Sequence, residues 1–285
     1  MKENSIKKNN ILVVDGTNLI FRNHFVHTYR KTSSGISTGG LYGTIRSLKS
    51  YAKTFNPRQI FICFDKSSST FRKKIYPEYK AKRKKTDKEL LDQFPVFKEY
   101  CKLANIPFIE MDNYEADDLI GSLSCNAKRY GLNPYAVTGD KDILQLLSKN
   151  IEVLYLSRSG PIIYREEDLL EEYNISKEQF IDYKALVGDP SDNIPGVPMI
   201  GKVTAAKLLG EYKNLDGIYE NVEELGGKQK ENILKYKEEA YLYQELLSIV
   251  CDLDLDYNKY FNTYVKEGFD LTSRDSKDLL KKLEI

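Results

Sequence analysis

Ile11-Leu12-Val13-Val14 is apolar at every position. A run so short and so uniformly apolar suits a strand buried on both faces, as in a parallel sheet covered by helices. The same pattern recurs in Ile60-Phe61-Ile62-Cys63-Phe64, Ile106 to Glu110, Tyr135-Ala136-Val137-Thr138 and Ile151-Glu152-Val153-Leu154-Tyr155-Leu156. Between these runs, apolar residues fall at helical spacing. Leu41, Ile45, Leu48, Ala52 and Phe55 follow Gly39-Gly40. Leu91, Phe94 and Phe97 mark a helix over 88–104 that Pro95 should disturb, and a third helix runs from Leu119 to Gly131. Alternation of this kind predicts a mainly parallel α/β sheet. Past residue 165 the spacing is helical with no clear strand, which divides the chain into 1–165 and 166–285.

Three of the strand candidates lead into an acid: Asp15 after Val14, Asp65 after Phe64, and Asp140 after Thr138-Gly139. In an open α/β sheet, ligands bind just beyond the carboxyl ends of the strands. Glu115-Ala116-Asp117-Asp118 and Asp140-Lys141-Asp142 crowd five further or shared carboxylates into two short clusters. Carboxylates that dense repel one another, and a hard divalent cation such as Mg²⁺ is the counter-charge that oxygen ligands favour. Either cluster taken alone also reads as a solvated acidic turn. A haloacid dehalogenase type of phosphatase needs a second Asp two residues before Asp15, and Val13 stands there.

The net charge is only +1, so electrostatic arguments rest on local patches. From Lys66 to Lys88 the chain carries ten Lys or Arg against two acids, interleaved with Phe71, Tyr76 and Tyr79. Such a run is ordinarily a solvated loop. Here it follows a strand-end acid and would overhang it, which favours contact with a nucleic-acid strand through phosphates and stacked bases. Gly39-Gly40 is either an anion-binding helix start or a plain flexible entry. Four widely spaced cysteines argue against a zinc site or disulfide framework, and two histidines make His-based metal or Ser-His-Asp chemistry improbable. Met1 to Asn10 is polar, with no signal or membrane segment after it, so a cytoplasmic location is expected.

In the second half, Gly188-Asp189-Pro190-Ser191-Asp192-Asn193 adds two acids in what is locally a turn. Gly196 to Lys202 spells most of a P-loop, but Val203 replaces the required Ser or Thr and no strand leads in. A helix-hairpin-helix turn fits better: its glycines expose amides to a DNA phosphate, and Thr204-Ala205-Ala206-Lys207-Leu208-Leu209 opens the second helix.

Val14-Asp15-Gly16, Tyr114-Glu115-Ala116-Asp117-Asp118, Thr138-Gly139-Asp140-Lys141-Asp142 and Gly188-Asp189-Pro190-Ser191-Asp192-Asn193, in this order, closely resemble the motifs of the bacterial and phage 5'-3' exonuclease and flap endonuclease family. That family includes the N-terminal nuclease domain of DNA polymerase I. The resemblance implies a PIN-like, mainly parallel sheet covered by helices, a helical arch at about 66–95, and a C-terminal helix-hairpin-helix module. It assigns Asp15, Asp65, Glu115, Asp117 and Asp140 to a first metal, and Asp142, Asp189 and Asp192 to a second, with Asp118 counted in the metal set and supporting the cluster. Lys80 and Arg83 resemble catalytic arch residues and Tyr79 a base-stacking residue. Arg22, Arg72 and Lys184 resemble phosphate contacts, and Gly196, Gly201, Lys202, Thr204 and Lys207 form the duplex-binding hairpin.

The same resemblance implies two Mg²⁺, with Mn²⁺ as substitute and K⁺ at the hairpin. The implied activity is hydrolysis of 5'-flap, nicked or 5'-ended duplex DNA in primer removal and repair. No polymerase follows residue 285, so a standalone, monomeric nuclease is expected to cooperate with a separate polymerase and ligase. The competing readings are a junction-DNA binder that does not cut and a PIN-type ribonuclease.

Overall fold

The computed structural model describes residues 9–83 and 86–285, with the side chains of all but Ser67 and Ser68. The lysines of the polar start, and Lys84 and Lys85 of the basic stretch, lie outside the described residues. The sheet is built from β1 (Asn10–Asp15), β2 (Gln59–Thr70), β3 (Phe108–Asn113), β4 (Asn133–Thr138), β5 (Glu152–Ser157) and β6 (Gly160–Tyr164), in the order β3-β2-β1-β4-β5-β6. The first five are parallel to their neighbours, and β6 alone runs antiparallel, against β5. The sequence reading missed β6. It follows β5 through a tight turn at Arg158-Ser159, and its Pro161, Ile162 and Ile163 sit on an edge strand without a buried alternation.

β1 is apolar from Ile11 to Val14 because both its faces are covered. Ile11 and Val13 point into one core with Phe61, Cys63, Ala136 and Val153; Leu12 and Val14 point into the other with Ile60, Ile62 and Phe64. Each such side chain contributes about 2 kcal/mol relative to an exposed one. The second core is closed by α1 (Gly16–Val26), α2 (Gly39–Phe55), α5 (Gln93–Leu103) and the final helix. Two short helices, α3 (Phe71–Ile75) and α4 (Lys88–Leu91), bracket turns in the basic stretch, and these two are the helical part of the expected arch among the described residues. The helix expected over 88–104 is interrupted at Asp92 rather than at Pro95. Pro95 falls in the first turn of α5, where its missing N–H is not needed.

The first core is closed by α6 (Ala116–Ala127) and by the helices that follow the sheet. These are α7 (Glu166–Tyr173), α8 (Phe180–Val187), α9 (Lys202–Tyr212), α10 (Leu215–Glu220), α11 (Gly227–Lys235) and α12 (Lys237–Leu247). A strap over 248–256 then crosses α6, and α13 (Val265–Glu267) and α14 (Arg274–Lys282) return the chain to α5, with Leu280 buried. The end of the chain is therefore packed and not a free polar tail.

The glycines at the start of α2 are explained by this packing. A Cβ on Gly39 would sit 2.1 Å from the His27 carbonyl oxygen, and one on Gly43 would sit 2.4 Å from Asn23 Oδ1. The Leu41 amide donates to Gln93 Oε1 at 3.0 Å. Close approach of α1 and α2, not anion binding, accounts for them.

Gly39→Ala is expected to cost about 2 kcal/mol of unfolding free energy through that overlap. Gly210→Ala in α9, with nothing within 4 Å of its new methyl, should gain up to about 1 kcal/mol. Urea unfolding of the two variants checks the opposite signs.

Candidate metal centre

β2, β1 and β4 are adjacent and parallel, which brings Asp65, Asp15 and Asp140 to one edge of the sheet; Asp65 does not end its strand as expected but lies within β2, where the pairing with β3 shifts register. Asp15 ends β1 and caps α1: its Oδ1 accepts from the Asn18 amide at 2.8 Å and its Oδ2 from Thr138 Oγ1 at 2.8 Å. Asp65 Oδ1 accepts from the Ala116 amide at 2.9 Å, and the Asp65 amide donates to Thr17 Oγ1 at 3.0 Å. Those bonds tie β2 to the start of both α1 and α6. Asp140 Oδ1 accepts from the Asp142 amide at 3.0 Å, which turns the chain so that both carboxyls follow β4. Glu115 and Asp117 enter at the N-terminus of α6, where the helix dipole favours negative charge.

The basic stretch folds back over this edge. The Lys80 amide donates to the Asp192 carbonyl at 2.9 Å, with Lys80 in a left-handed conformation at φ 56. Its ammonium reaches Glu115 Oε2 at 2.7 Å and Asp192 Oδ2 at 3.7 Å. Arg83 Nη2 lies 2.8 Å from Asp192 Oδ1 with its side chain 54% exposed. A cleft of about 830 Å³ runs beside them, lined by Thr17, Asp65, Tyr79, Lys80, Arg83 and Glu115 among others. On the far side, Lys184 from α8 bridges Asp142, at 2.7 Å, and Asp189. Asp189 also accepts from the Ser191 amide and hydroxyl, at 2.7 and 2.6 Å.

Crowding sets the electrostatics. Burial, with the charges of Asp65 and Asp140, pushes Asp15 up to about 7. Burial and the Asp140 and Asp15 charges push Asp117 well above the ordinary carboxylate range. Burial and Asp140 raise Asp142 to about 7 although Lys184 opposes them. Burial would raise Glu115 and Asp189 as well, but Lys80 and Arg72 hold Glu115 down, and Lys184 holds Asp189 at about 2.

These residues fit a bound divalent cation. Asp117 Oδ1 is buried with no hydrogen-bond partner, the donors are all carboxylate oxygens, and a cation would relieve the repulsion that raises the three pKa values. Among the described residues, no group of three or more His, Cys, Asp or Glu side chains stands at metal-holding distance. The lysines bridge the carboxylates instead.

Several expected roles are corrected by geometry. Asp118 cannot be a ligand: it is fully buried, its Oδ1 accepts from Arg72 and the Val250 amide, and its Oδ2 accepts from Arg72 and the Glu115 amide. Arg72 is only 2% exposed, forked onto Asp118 and donating also to the Leu246 and Ser248 carbonyls, so it is a buried brace and not a phosphate contact. Tyr79 is buried with its hydroxyl donating toward Glu115 and Asp192, at 3.1 and 2.9 Å, which leaves its ring no open face for a base. Arg22 donates to the Leu156 and Ser157 carbonyls at the end of β5 and presents no free cation to phosphate, whereas Lys184, like Lys80, is held by carboxylates.

Gly196, at φ 72, is buried against Gly188, where a Cβ would meet backbone at 2.5 Å, so the turn requires glycine there. Gly201, Lys202 and Lys207 are exposed and Thr204 is half-buried at the start of α9, flanked by Met199 at 71% and Val203 at 85% exposure. The sequence reading missed Thr17, Asn18 and Thr138, which aim the acids. Asn18 carried a signal, since it lies three residues after Asp15 at a helix start and its Oδ1 accepts from the Gly139 amide at 3.0 Å.

Two family models match in tandem: the 5'-3' exonuclease N-terminal resolvase-like domain over residues 10–174, and the 5'-3' exonuclease C-terminal SAM fold over residues 175–267. The chain belongs to the 5'-3' exonuclease family. DNA polymerase I of Caldicellulosiruptor bescii is 40% identical over 250 residues, covering 86% of this chain, and that of Bacillus subtilis is 34% identical over 254 residues, covering 88%. The chain spans 29% of the length of each of those relatives. Among solved structures, the T5 D15 protein co-crystallised with metal ions superposes with a TM-score of 0.71 at 25% identity, covering 95% of this chain and 98% of that one. The T5 flap endonuclease in a complex with DNA and metal ions gives 0.68 at 26% identity, covering 97% and 100%. The catalytic core of Rad2 with DNA, at 15% identity and a TM-score of 0.56, shares the fold.

With divalent ions chelated, Asp15 and Asp142 keep protons up to about pH 7 in the folded chain, against the usual carboxylate value of 3.8. The stability they contribute is therefore complete below about pH 4 and lost as pH rises through 7. Urea midpoints in EDTA should fall from about pH 5 to 8, and Asp15→Asn should flatten that slope. A slope unchanged by the substitution would show that crowding does not act there.

Proposed function

We propose that this chain is a divalent-metal-dependent, structure-specific 5' nuclease that hydrolyses phosphodiesters of 5'-flap, nicked or 5'-ended duplex DNA in primer removal and repair. The observation that carries this reading is the crowding of Asp15, Asp65, Asp117 and Asp140 at one edge of the sheet, beside a cleft lined by Asp65, Glu115, Lys80 and Arg83. Asp15, Asp65, Glu115, Asp117 and Asp140 would hold one Mg²⁺, and Asp142, Asp189 and Asp192 a second, with Mn²⁺ able to substitute. Bound there, such ions would supply activation of a water and stabilisation of the leaving oxygen.

The chain's own groups do the rest. Lys80 and Arg83 reach the cleft from the basic stretch and offset charge on the phosphoryl oxygens by exchanging a carboxylate partner for phosphate. Arg72 and Asp118 fix the start of α6 so that Glu115 and Asp117 keep their aim. The exposed start of α9, with first-turn amides that have no intrahelical acceptor, suits the duplex backbone through Lys202, Thr204 and Lys207. A K⁺ ion would assist at that turn.

On this reading residues 1–165 form the nuclease core, with the arch at about 66–95, and 166–285 the duplex-binding part. The protein acts as a cytoplasmic monomer together with DNA polymerase and ligase activities. No described helix is long and apolar enough to cross a membrane.

The test is cleavage of a 5'-end-labelled flap substrate. Mg²⁺-dependent flap release should disappear in EDTA. In Lys80→Ala it should slow by about 10²-fold or more while duplex affinity changes little. Tight flap binding without cutting in Mg²⁺ or Mn²⁺ would favour a junction-binding protein, and preferential cutting of single-stranded RNA a PIN-type ribonuclease.

A further inference from the structure

Cys125 and Cys251 are 126 residues apart in sequence, yet their Sγ atoms lie 2.9 Å from each other. Cys125 is exposed near the C-terminal end of α6, and Cys251 is half-buried in the strap that crosses that helix. Their approach is framed on both sides. Ser122 Oγ donates to the Val250 carbonyl at 3.1 Å and accepts from the Leu253 amide at 3.2 Å, and Asn126 Nδ2 donates to the Cys251 carbonyl at 3.0 Å. Gly121 lets the strap seat this closely, because a Cβ there would lie 2.4 Å from Ile249 and 3.4 Å from Cys251 Sγ. The two sulfurs are thus held within about an ångström of bonding distance.

We propose that Cys125 and Cys251 form a reversible disulfide that staples the strap to α6, with a small-molecule disulfide of the glutathione type as oxidant. The Cys125 thiolate attacks one sulfur of the oxidant, forming a mixed disulfide and releasing one thiol. Cys251 then loses its proton and attacks Cys125 Sγ, releasing the second thiol. The sum is two protein thiols and one oxidant disulfide giving one protein disulfide and two small thiols. Exposure makes Cys125 the attacking residue. The contact with Cys251, together with the nearby Lys177 charge, holds its pKa below the ordinary thiol value, while the same contact and burial push Cys251 up. Cys63 and Cys101 are fully buried and raised by that burial, so they do not compete.

The staple secures more than two residues. The strap it fixes supplies the Ser248 carbonyl to Arg72 and the Val250 amide to Asp118, and these two side chains brace the acidic end of α6. Oxidation therefore ties the C-terminal helices to the floor of the metal centre without entering the cleft.

The full chain, reduced with dithiothreitol and then equilibrated with glutathione disulfide, should lose two of its four thiols and the mass of two hydrogens. Digestion should yield one cross-linked peptide joining Cys125 to Cys251. Its melting temperature should rise by about 5 °C, reversibly with dithiothreitol. Cys125→Ser and Cys251→Ser, folded by circular dichroism, should keep one melting temperature in both buffers. Retention of all four thiols, a persistent glutathione adduct without the cross-link, or an unchanged melting temperature in the cross-linked protein would overturn the proposal.

Discussion

Repulsion among carboxylates that β2, β1 and β4 bring to one edge of the sheet dictates how the surrounding segments are placed. Parallel pairing of three adjacent strands leaves no freedom to separate Asp65, Asp15 and Asp140. Like charges held that close in a partly buried edge cost free energy unless protons or cations intervene. Hydrogen-bond donors fix each acid, Asn18 and Thr138 on Asp15, the Ala116 amide on Asp65 and the Asp142 amide on Asp140, and cationic groups approach from two other segments. Lys80 and Arg83 come from the basic stretch, and Lys184 comes from α8. Each binds an acid belonging to a different part of the chain, so the same attraction that offsets the repulsion also draws the basic stretch and the turn at Asp189–Ile194 onto the sheet.

A second electrostatic unit lies beneath the first and has a different character. The Arg72–Asp118 fork is almost completely buried and every acceptor position on Asp118 is used. Removing one partner of such a pair is costly because the other is left charged in a poor solvent. It joins α3, α6 and the strap after α12 in one place, beside the residues that face the cleft. The rigid part of the centre and the part that exchanges ions are thus built from neighbouring residues of one motif: Asp118 is committed inward and Asp117 outward.

Much of this was legible in the sequence. The apolar runs Ile11–Val14 and Ile60–Phe64 pointed to the buried parallel sheet, and the acids expected to follow strands fall at the end of β1 (Asp15), within β2 (Asp65) and two residues past β4 (Asp140). What sequence could not supply was commitment. Arg72, Tyr79 and Lys184 sit in a run or beside a motif that reads as nucleic-acid contact, yet tertiary packing assigns them to carboxylates and carbonyls that are distant in sequence. Gly39-Gly40 left an anion-binding start and a plain flexible entry both open, and the deciding fact is the neighbour that a Cβ would meet. β6 escaped because an edge strand need not alternate, and the cysteine pair escaped because 126 residues separate its members.

Whether the carboxylate cluster holds divalent cations is decided by anomalous scattering from crystals soaked in Mn²⁺. A strong peak is expected beside Asp117 Oδ1, shared with Asp15 and Asp140, and a second toward Asp142 and Asp189. Peaks confined to surface acids such as Asp252 or Glu231, with the Asp117 oxygen still bare, would contradict a metal centre at this edge of the sheet.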